Sequence, residues 1–305
     1  MNSPSQRVSR LAFRDGTFVQ GERTIPEETA IAMVYDGGSH AVMMATPADI
    51  ADFALGFSLT EGIIAKPSDI TDFEIVPQDD GIEARLWLKP ERAQALAARR
   101  RMIAGPTGCG LCGIDSLTEA LRAPRRVEST LTFTPADVEA ALASLAPAQA
   151  LNRETRAVHA AGFWTKAEGL VALREDVGRH NALDKLAGAL VGRAAGSADI
   201  SAQSLTPIVA MSASFFPETE PVQEADRMSA LPGIIVLTSR ISVELIQKTA
   251  MIGAPVIVAV SAPTALALRL ADEAGITLIG IARGDGFEVF THPHRIVPEP
   301  LSHVA

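Results

Sequence analysis

The stretch GIIVLTSRISVELIQKTAMIGAPVIVAVSAPTALALRLADEAGITLIGIAR, residues 233–283, decides the fold of the second half of the chain. Three of its segments, IIVL, VIVAV and ITLIGIA, are apolar throughout, and amphipathic helical patterns separate them. Strands that are apolar on both sides belong to a sheet whose two faces are covered by helices. The stretch therefore predicts an α/β fold for this half.

Working outward from it, the chain is predicted to have three parts. Residues 1–27 are polar and are expected to be a loose N-terminal tail. Residues 28–125 show the element order ββαββα, which predicts a smaller α+β module that ends in a loop with two cysteines. Residues 126–305 are assigned to the α/β domain, with an acidic, proline-bearing insertion near residues 212–232.

The composition limits the function. The 305 residues are 47% apolar, which allows a large core, and the formal charge of −9 disfavours nucleic acid as a partner. No apolar run approaches the roughly 20 residues that cross a bilayer. The first residues, MNSPSQRVSR, lack the apolar region of a secretory signal. Two cysteines are too few for a disulfide scaffold, so a cytoplasmic protein with no membrane contact is expected.

The two cysteines, Cys109 and Cys112, form a C-x-x-C pair among glycines. Structural zinc needs four ligands, and a zinc deaminase needs P-C-x-x-C with an upstream H-x-E or C-x-E, whereas Gly108 precedes this pair and no such motif precedes the loop. No structural zinc is therefore expected. A thioredoxin-type pair follows a different local pattern, and the glycines argue against buried, inert thiols. The remaining interpretation is a reactive thiol on a pliable loop, either a carrier or an exchanging nucleophile.

Three junctions next to predicted strands combine a cation with small hydrogen-bond donors. Arg179 and His180 lie in the first turn of a predicted helix, where backbone N–H groups and the helix dipole favour an anion. Arg240 lies between a strand and a helix, and Arg283 lies in a glycine-rich turn after the last buried strand. Each junction alone also fits an ordinary capped helix or a plain turn. Together they predict a phosphate site in the crevice at the strand ends.

These motifs together resemble the FdhD family, the sulfur-carrier proteins required for active formate dehydrogenase. The resemblance runs in collinear order over residues 28–295, through FALGFSLTEGII, GPTGCGLCGIDSL, EDVGRHNALDK, TSRISVELIQKTAMIGAP and THPHR. It implies a cytidine-deaminase-like layered sheet in the C-terminal half, without the deaminase zinc site. It also implies a homodimer.

The resemblance further implies a reaction. A cysteine desulfurase passes sulfur to the C-x-x-C pair, where it is held as a persulfide. The family's carrier cysteine, the first of the pair, corresponds to Cys109. Cys112 would assist the transfer or resolve the persulfide. The carrier then delivers the sulfur to the molybdenum (or tungsten) bis(molybdopterin guanine dinucleotide) cofactor, before the cofactor enters the catalytic subunit of formate dehydrogenase. The alternative is a non-catalytic chaperone that only binds this cofactor.

The family's cofactor-binding segment maps onto the glycine-rich turn near the end of this chain. Its residues here are Ile281, Ala282, Arg283, Gly284, Asp285 and Gly286. The family often ends this segment with a basic residue, whereas this chain has Gly286. Arg283 is therefore the expected cation of the segment.

Overall fold

The N-terminal residues form a β-hairpin and not a loose tail. In this computed structural model, the described residues are 3–103, 123–194, 231–284 and 286–298. Strand β1 (Ser5–Arg14) pairs with β2 (Thr17–Pro26) in antiparallel register around Asp15 and Gly16, which both have positive φ. An Asp-Gly pair in this conformation closes a two-residue hairpin turn, so the expectation of a loose tail is wrong for the described residues of this segment.

The predicted ββαββα module follows the hairpin. Its elements are β3 (Thr29–Tyr35), β4 (Gly38–Ala45), α1 (Ile50–Thr60), β5 (Ile70–Gln78), β6 (Gly81–Leu88) and α2 (Pro90–Ile103). The strand order is β4-β3-β6-β5, with β3 parallel to β6 and the other pairs antiparallel. Helix α1 is buried nearly all round, and its Phe53 and Phe57 share a core with Met33 and Leu86 of the sheet.

The described residues of the second half are built on one six-stranded sheet. Its elements are α3 (Pro135–Ala143), α4 (Leu145–Ala148), α5 (Ala150–Thr155), β7 (His159–Thr165), β8 (Gly169–Asp176), α6 (Arg179–Ala194), β9 (Ile234–Leu237), α7 (Val243–Ile252), β10 (Val256–Ala259), α8 (Ala265–Ala274), β11 (Thr277–Arg283) and β12 (Gly286–Val289). The strand order is β12-β11-β10-β9-β7-β8. Strands β9, β10 and β11 are mutually parallel, whereas β7 and β12 run antiparallel to their neighbours.

Both faces of this sheet are covered, which confirms the α/β prediction. Alternate strand residues, such as Leu237 and Leu278, point into a core shared with α6, α7 and α8. Their neighbours Val236 and Ile279 point into a second core, which α3 and α4 supply with Val138 and Leu145. A strand buried on both sides must be apolar at every position, as the sequence of these strands is.

The module and the α/β half meet where α1 crosses α6. A Cβ added to Gly56 of α1 would lie 1.7 Å from the backbone O of Asp184, and one added to Gly188 of α6 would lie 2.0 Å from the backbone O of Asp52. The two helices therefore touch through their backbones, and only glycine fits at the crossing. The predicted boundary at residues 125/126 separates two units that are closely packed on each other.

Some sequence-based expectations fall on other parts of the chain. Nearly all of the insertion expected near residues 212–232 lies outside the described residues. Among the described residues, no helix has the length and apolar character needed to cross a membrane.

Candidate functional site

The three predicted anion-binding junctions lie at one edge of the six-stranded sheet. Leu237, which ends β9, is paired with Ala259, which ends the parallel strand β10, and β11 runs in the same direction. Strand β7 is antiparallel to β9 and β8 is antiparallel to β7, so β8 also ends at this edge with Asp176. The carboxyl edge of the parallel strands is where ligands bind in open α/β sheets. We refer to it below as the carboxyl edge.

Arg179 and His180 form the first turn of α6 at the carboxyl edge. The Nε atom of Arg179 and the Nε2 atom of His180 are buried, and neither has a hydrogen-bond partner among the described residues. The nearest carboxylate to His180 is Glu244, whose Oε2 lies 3.7 Å from Nε2, too far for a hydrogen bond. Because buried polar atoms are normally hydrogen-bonded, these two atoms fit a ligand that the described residues do not supply.

The electrostatics of this turn favour a neutral imidazole. Burial lowers the pKa of His180, and the positive charge of Arg179 lowers it further. Burial also raises the pKa of Glu244, but hydrogen bonds and the charges of His180 and Arg179 outweigh burial, so the pKa of Glu244 is lowered. Near neutral pH the turn therefore presents one guanidinium, one neutral ring and one carboxylate.

A second histidine, His159, lies at the same edge and was missed by the sequence analysis. It begins β7 and is paired with Asp176 at the end of β8. Burial lowers the pKa of His159, and the positive charge of Arg179 lowers it further. A histidine at the start of a strand reaches this edge only because β7 runs antiparallel to β9, and nothing in the local sequence indicates that pairing.

The other two junctions present exposed cations. Arg240 lies in the loop between β9 and α7 and is exposed. Arg283 is exposed at the end of β11, where it pairs with Gly286 across the turn into β12. Just before it, Ile281 has a φ of 53°, a backbone conformation that a β-branched residue rarely adopts. Backbone strain of this kind clusters at ligand-binding sites, which agrees with the position of the segment.

The remaining residues of this segment differ in their exposure. Ala282 is buried beneath the turn and Gly284 is exposed within it. Asp285 lies outside the described residues. The turn therefore offers solvent the backbone of Gly284 and the guanidinium of Arg283.

The cations are spread along the carboxyl edge and do not converge on one pocket. Four strand spacings separate β8, which precedes Arg179, from β11, which carries Arg283, and each spacing is about 4.8 Å. The two ends of the set are therefore about 19 Å apart, with Arg240 between them. A ligand that contacts all three cations must be long and carry more than one anionic group.

Two acidic side chains near the site turn into the core. The carboxylate of Asp176 is fully buried, where it pairs with Lys185 at 2.6 Å and accepts from the backbone N–H of Gly178 at 2.7 Å. Asp184 lies one helical turn after His180, and its Oδ1 accepts from Thr60 Oγ1 at 2.6 Å in the interface with α1. Neither carboxylate is available to a ligand.

The end of α2 is held next to the first turns of α6. The Nη1 atom of Arg99 in α2 donates to the backbone O of Glu61, at the end of α1, at 3.0 Å. The carboxylate of Glu61 is 2.9 Å from Lys248 Nζ, which also binds Asp184 at 2.9 Å. Asp184 lies one helical turn after His180. This chain of contacts brings the end of α2 to the same end of α6 that carries the candidate ligand donors.

Cys109 and Cys112 follow α2 but lie outside the described residues. Helix α2 ends at Ile103, six residues before Cys109. Six residues span at most about 20 Å when fully extended. The chain length alone therefore keeps Cys109 within about 20 Å of the end of α2.

Comparison with known proteins gives the same family over most of the chain. The model of the FdhD/NarQ family matches residues 26–203 and 224–297. The sulfur carrier protein FdhD of Agrobacterium fabrum is 50% identical over 96% of each chain. The protein of the same name from Cupriavidus necator is 45% identical over 96% of this chain and 89% of its own.

A solved structure supports the fold. The crystal structure of a protein described as a formate dehydrogenase accessory protein, from Desulfotalea psychrophila, is similar with a TM-score of 0.66. The match covers 97% of this chain and 100% of that one, at 22% sequence identity. At this identity the similarity concerns the fold alone.

Proposed function

Because the chain belongs to the FdhD/NarQ family, we propose that it carries sulfur as a persulfide on Cys109 and delivers it to the cofactor of formate dehydrogenase. Its relatives from Agrobacterium fabrum and Cupriavidus necator are named sulfur carrier proteins. The C-x-x-C pair is the only source of thiols in the sequence. The donor is a cysteine desulfurase, which itself holds sulfur as a cysteine persulfide.

The loading step is a thiol exchange. The thiolate of Cys109 attacks the outer sulfur of the donor's persulfide, a new S–S bond forms on Cys109, and the donor's S–S bond breaks. The donor cysteine leaves as a thiolate, so no outside oxidant or reductant is needed. Cys112 stands three positions further along the chain and assists the later release of the carried sulfur.

The acceptor is the molybdenum or tungsten bis(molybdopterin guanine dinucleotide) cofactor, bound as a substrate along the carboxyl edge. A dinucleotide carries several phosphates, and Arg179, Arg240 and Arg283 are spaced to contact more than one of them. The buried atoms Arg179 Nε and His180 Nε2, which have no partner among the described residues, supply hydrogen-bonding groups at one end. The exposed turn around Gly284 supplies backbone donors at the other.

The single observation that carries the proposal is the hydrogen bond from Arg99 to the backbone of Glu61. It holds the last turns of α2, the helix that precedes the cysteines in the chain, beside the same end of α6 that carries Arg179 and His180. A carrier cysteine must meet both its donor and the bound substrate. The six-residue separation between the end of α2 and Cys109 is short enough to let the cysteine reach a substrate bound along the carboxyl edge.

Sulfur loading is tested by mass spectrometry. The protein is incubated with a cysteine desulfurase and free cysteine, and the peptide that contains both cysteines is weighed. We expect one added sulfur in the wild type and in Cys112→Ala, and none in Cys109→Ala. An equal gain of sulfur in Cys109→Ala would contradict the assignment of the carrier.

Ligand binding is tested separately with guanosine diphosphate as the probe. Arg283→Ala should weaken binding by about 10-fold or more, because a charge-assisted hydrogen bond contributes about 1.5–3 kcal/mol. The matched control is Arg193→Ala at the other end of α6, where the exposed guanidinium lies 3.4 Å from Glu168. Equal affinities of the two variants would contradict a nucleotide site at the β11–β12 turn.

The alternative is a chaperone that binds the cofactor without carrying sulfur, since the cations of the carboxyl edge do not depend on the cysteines. A double cysteine-to-alanine variant that still supports formate dehydrogenase activity would favour it. Both versions share the remaining proposals, which are a cytoplasmic location, a homodimer, a catalytic subunit of formate dehydrogenase as the recipient, and cytidine-deaminase-like layering of the C-terminal half.

A further inference from the structure

The N-terminal hairpin is an isolated arm. Within the described part of the chain, strands β1 and β2 pair only with each other, in a sheet of two strands. A two-stranded hairpin alone is at best marginally stable in water. With ten residues per strand and about 3.4 Å per residue, the arm is about 30 Å long. A hydrogen bond from Arg23 to the backbone O of Thr155 holds its base against the end of α5.

The tip of the arm is apolar and exposed. The relative exposures of Leu11, Phe13, Phe18 and Val19 are 61%, 64%, 70% and 53%. Phe13 and Phe18 face each other across the two strands, with ring centroids 5.1 Å apart. Large apolar side chains concentrated on one exposed element mark an interaction surface.

A second exposed apolar surface lies on the outer face of the β4-β3-β6-β5 sheet. Val42 and Met44 of the edge strand β4 are 61% and 50% exposed. Their cross-strand partners on β3 are Ala32 and Ala30, both partly exposed, so the four side chains form one apolar strip. We call these four residues the β4 strip. It lies on the opposite side of the sheet from the core that packs on α1.

The charges of the arm and of the outer sheet face are complementary. The arm has arginines at four positions and acidic residues at two, a formal charge of +2 in a chain of −9. Beside the β4 strip, the outer face carries Asp72, Glu74 and Glu83 around the cation Arg85. Arg85 is already paired with Glu83 at 2.7 Å. A basic, apolar arm therefore matches an apolar strip with an acidic border.

We propose that the arm of one copy of this chain docks on the β4 strip of a second copy, and the reverse. Only Glu27 and Glu28 link β2 to β3, so the arm would have to reverse direction within two residues to cover its own sheet. The exposure of both surfaces shows that it does not. A two-fold symmetric dimer buries both surfaces, because each chain contributes one arm and one strip. The dimer therefore contains two identical contacts between an arm and a strip. This proposal concerns the contact surface and does not depend on sulfur transfer.

The test compares two variants of the full chain by light scattering and analytical ultracentrifugation. The arm variant is Phe13→Thr with Phe18→Thr, and the strip variant is Val42→Thr with Met44→Thr. Threonine keeps the preference for β-strands while it removes apolar surface. We expect a dimeric wild type and about 100-fold weaker self-association of each variant, which is the scale of losing central apolar contacts.

The sharpest measurement mixes the two variants. The arm variant keeps an intact strip and the strip variant keeps an intact arm, so the mixed pair regains one of the two contacts. The mixture must therefore associate more tightly than either variant does alone. The control is Leu131→Thr, an exposed apolar residue outside both surfaces, which should leave the dimer unchanged.

A monomeric wild type overturns the proposal, as does a variant that dimerises as well as the wild type, or a mixture no tighter than its parts. Circular dichroism and thermal unfolding show whether each variant is folded. If the arm variant is unfolded, Leu11→Thr with Val19→Thr replaces it on the same element. Hydrogen exchange provides an independent result, because the amides of β1 and β2 should become protected only at concentrations where the dimer forms.

Discussion

Replacing Gly56 by alanine should destabilise the protein, although alanine favours helices. The substitution places a Cβ 1.7 Å from the backbone O of Asp184 and 2.7 Å from the backbone N of Gly188. Both contacts are with backbone atoms, which cannot rotate away as a side chain can. Helices α1 and α6 must therefore separate by more than about 1 Å at their crossing.

The expected loss follows from what that separation breaks. Thr60 of α1 donates to Asp184 of α6 at 2.6 Å across this crossing, and Arg174 of β8 binds Asp52 of α1 at 2.7 Å beside it. Weakening a buried network of this kind costs about 3–5 kcal/mol. Helix propensity offsets about 1 kcal/mol, because alanine is preferred to glycine inside a helix. The net loss is about 3 kcal/mol.

Thermal unfolding followed by circular dichroism measures this loss. A change of 1 kcal/mol moves Tm by about 2–4 °C in a chain of this class, so Gly56→Ala should lower Tm by about 6–12 °C. Gly188→Ala should act in the same direction, because its Cβ would lie 2.0 Å from the backbone O of Asp52. Ala95→Gly, at an exposed position in α2, calibrates helix propensity alone and should lower Tm by about 2–4 °C.

The direction in which Gly56→Ala shifts Tm distinguishes a close helix crossing from an effect of helix propensity alone. If helix propensity dominated, Gly56→Ala would raise Tm, as expected for a glycine with free space around it. A Tm equal to or above that of the wild type would refute the close crossing. It would also remove the structural reason for treating the two halves as closely packed.

Three further outcomes are expected. Lys248→Met should cost about 3–5 kcal/mol in thermal unfolding, because it leaves the buried Asp184 without its cation; an unchanged Tm would contradict the ion pair. The pKa values of His180 and His159 are lowered in the fold, chiefly by burial, so the unfolded chain binds protons first and stability should fall as pH drops below about 6.5. Substituting both histidines by glutamine should flatten that slope, and an unaltered slope would count against it. Thr134→Ala should lower the free energy of unfolding in urea by about 1 kcal/mol, because it removes the N-cap hydroxyl that accepts a hydrogen bond from the backbone N–H of Asp137 at the start of α3. Thr134→Ser keeps this hydroxyl and should be nearly neutral.

Local sequence was enough to predict those elements whose surroundings require a simple residue pattern, such as a strand covered on both faces or a tight hairpin turn. Strands β9 and β10 are buried on both sides, so each of their residues is apolar and the covered sheet could be predicted from composition alone. The turn at Asp36 and Gly37, where both residues have positive φ, gives the β3–β4 hairpin for the same reason. The same rule applied to Asp15 and Gly16 would have found the N-terminal arm, which a polar composition concealed.

In the candidate site, too, some residues could be predicted from local sequence and others depend on tertiary contacts. A cation beside a strand end can be seen in the sequence, so Arg179, Arg240 and Arg283 were found, and the structure places all three at one edge of the sheet. His159 was missed because its position depends on an antiparallel pairing with β8 and β9. The burial of Asp176 and Asp184 could not be predicted, because helical spacing indicates which residues share a face but not what packs against it.

The sequence by itself determined the apolar strands, the amphipathic helices, the cations at the strand ends and the cysteine pair, since each depends on residues that are close together in the chain. Tertiary structure alone decided the crossing of α1 and α6, the buried pairs Lys185 with Asp176 and Lys248 with Asp184, and the direction of β7. Local sequence does not distinguish a buried lysine from an exposed one, because burial depends on a carboxylate partner elsewhere in the chain. Lys248 meets Asp184 from 64 residues away, and no local periodicity encodes a contact of that range.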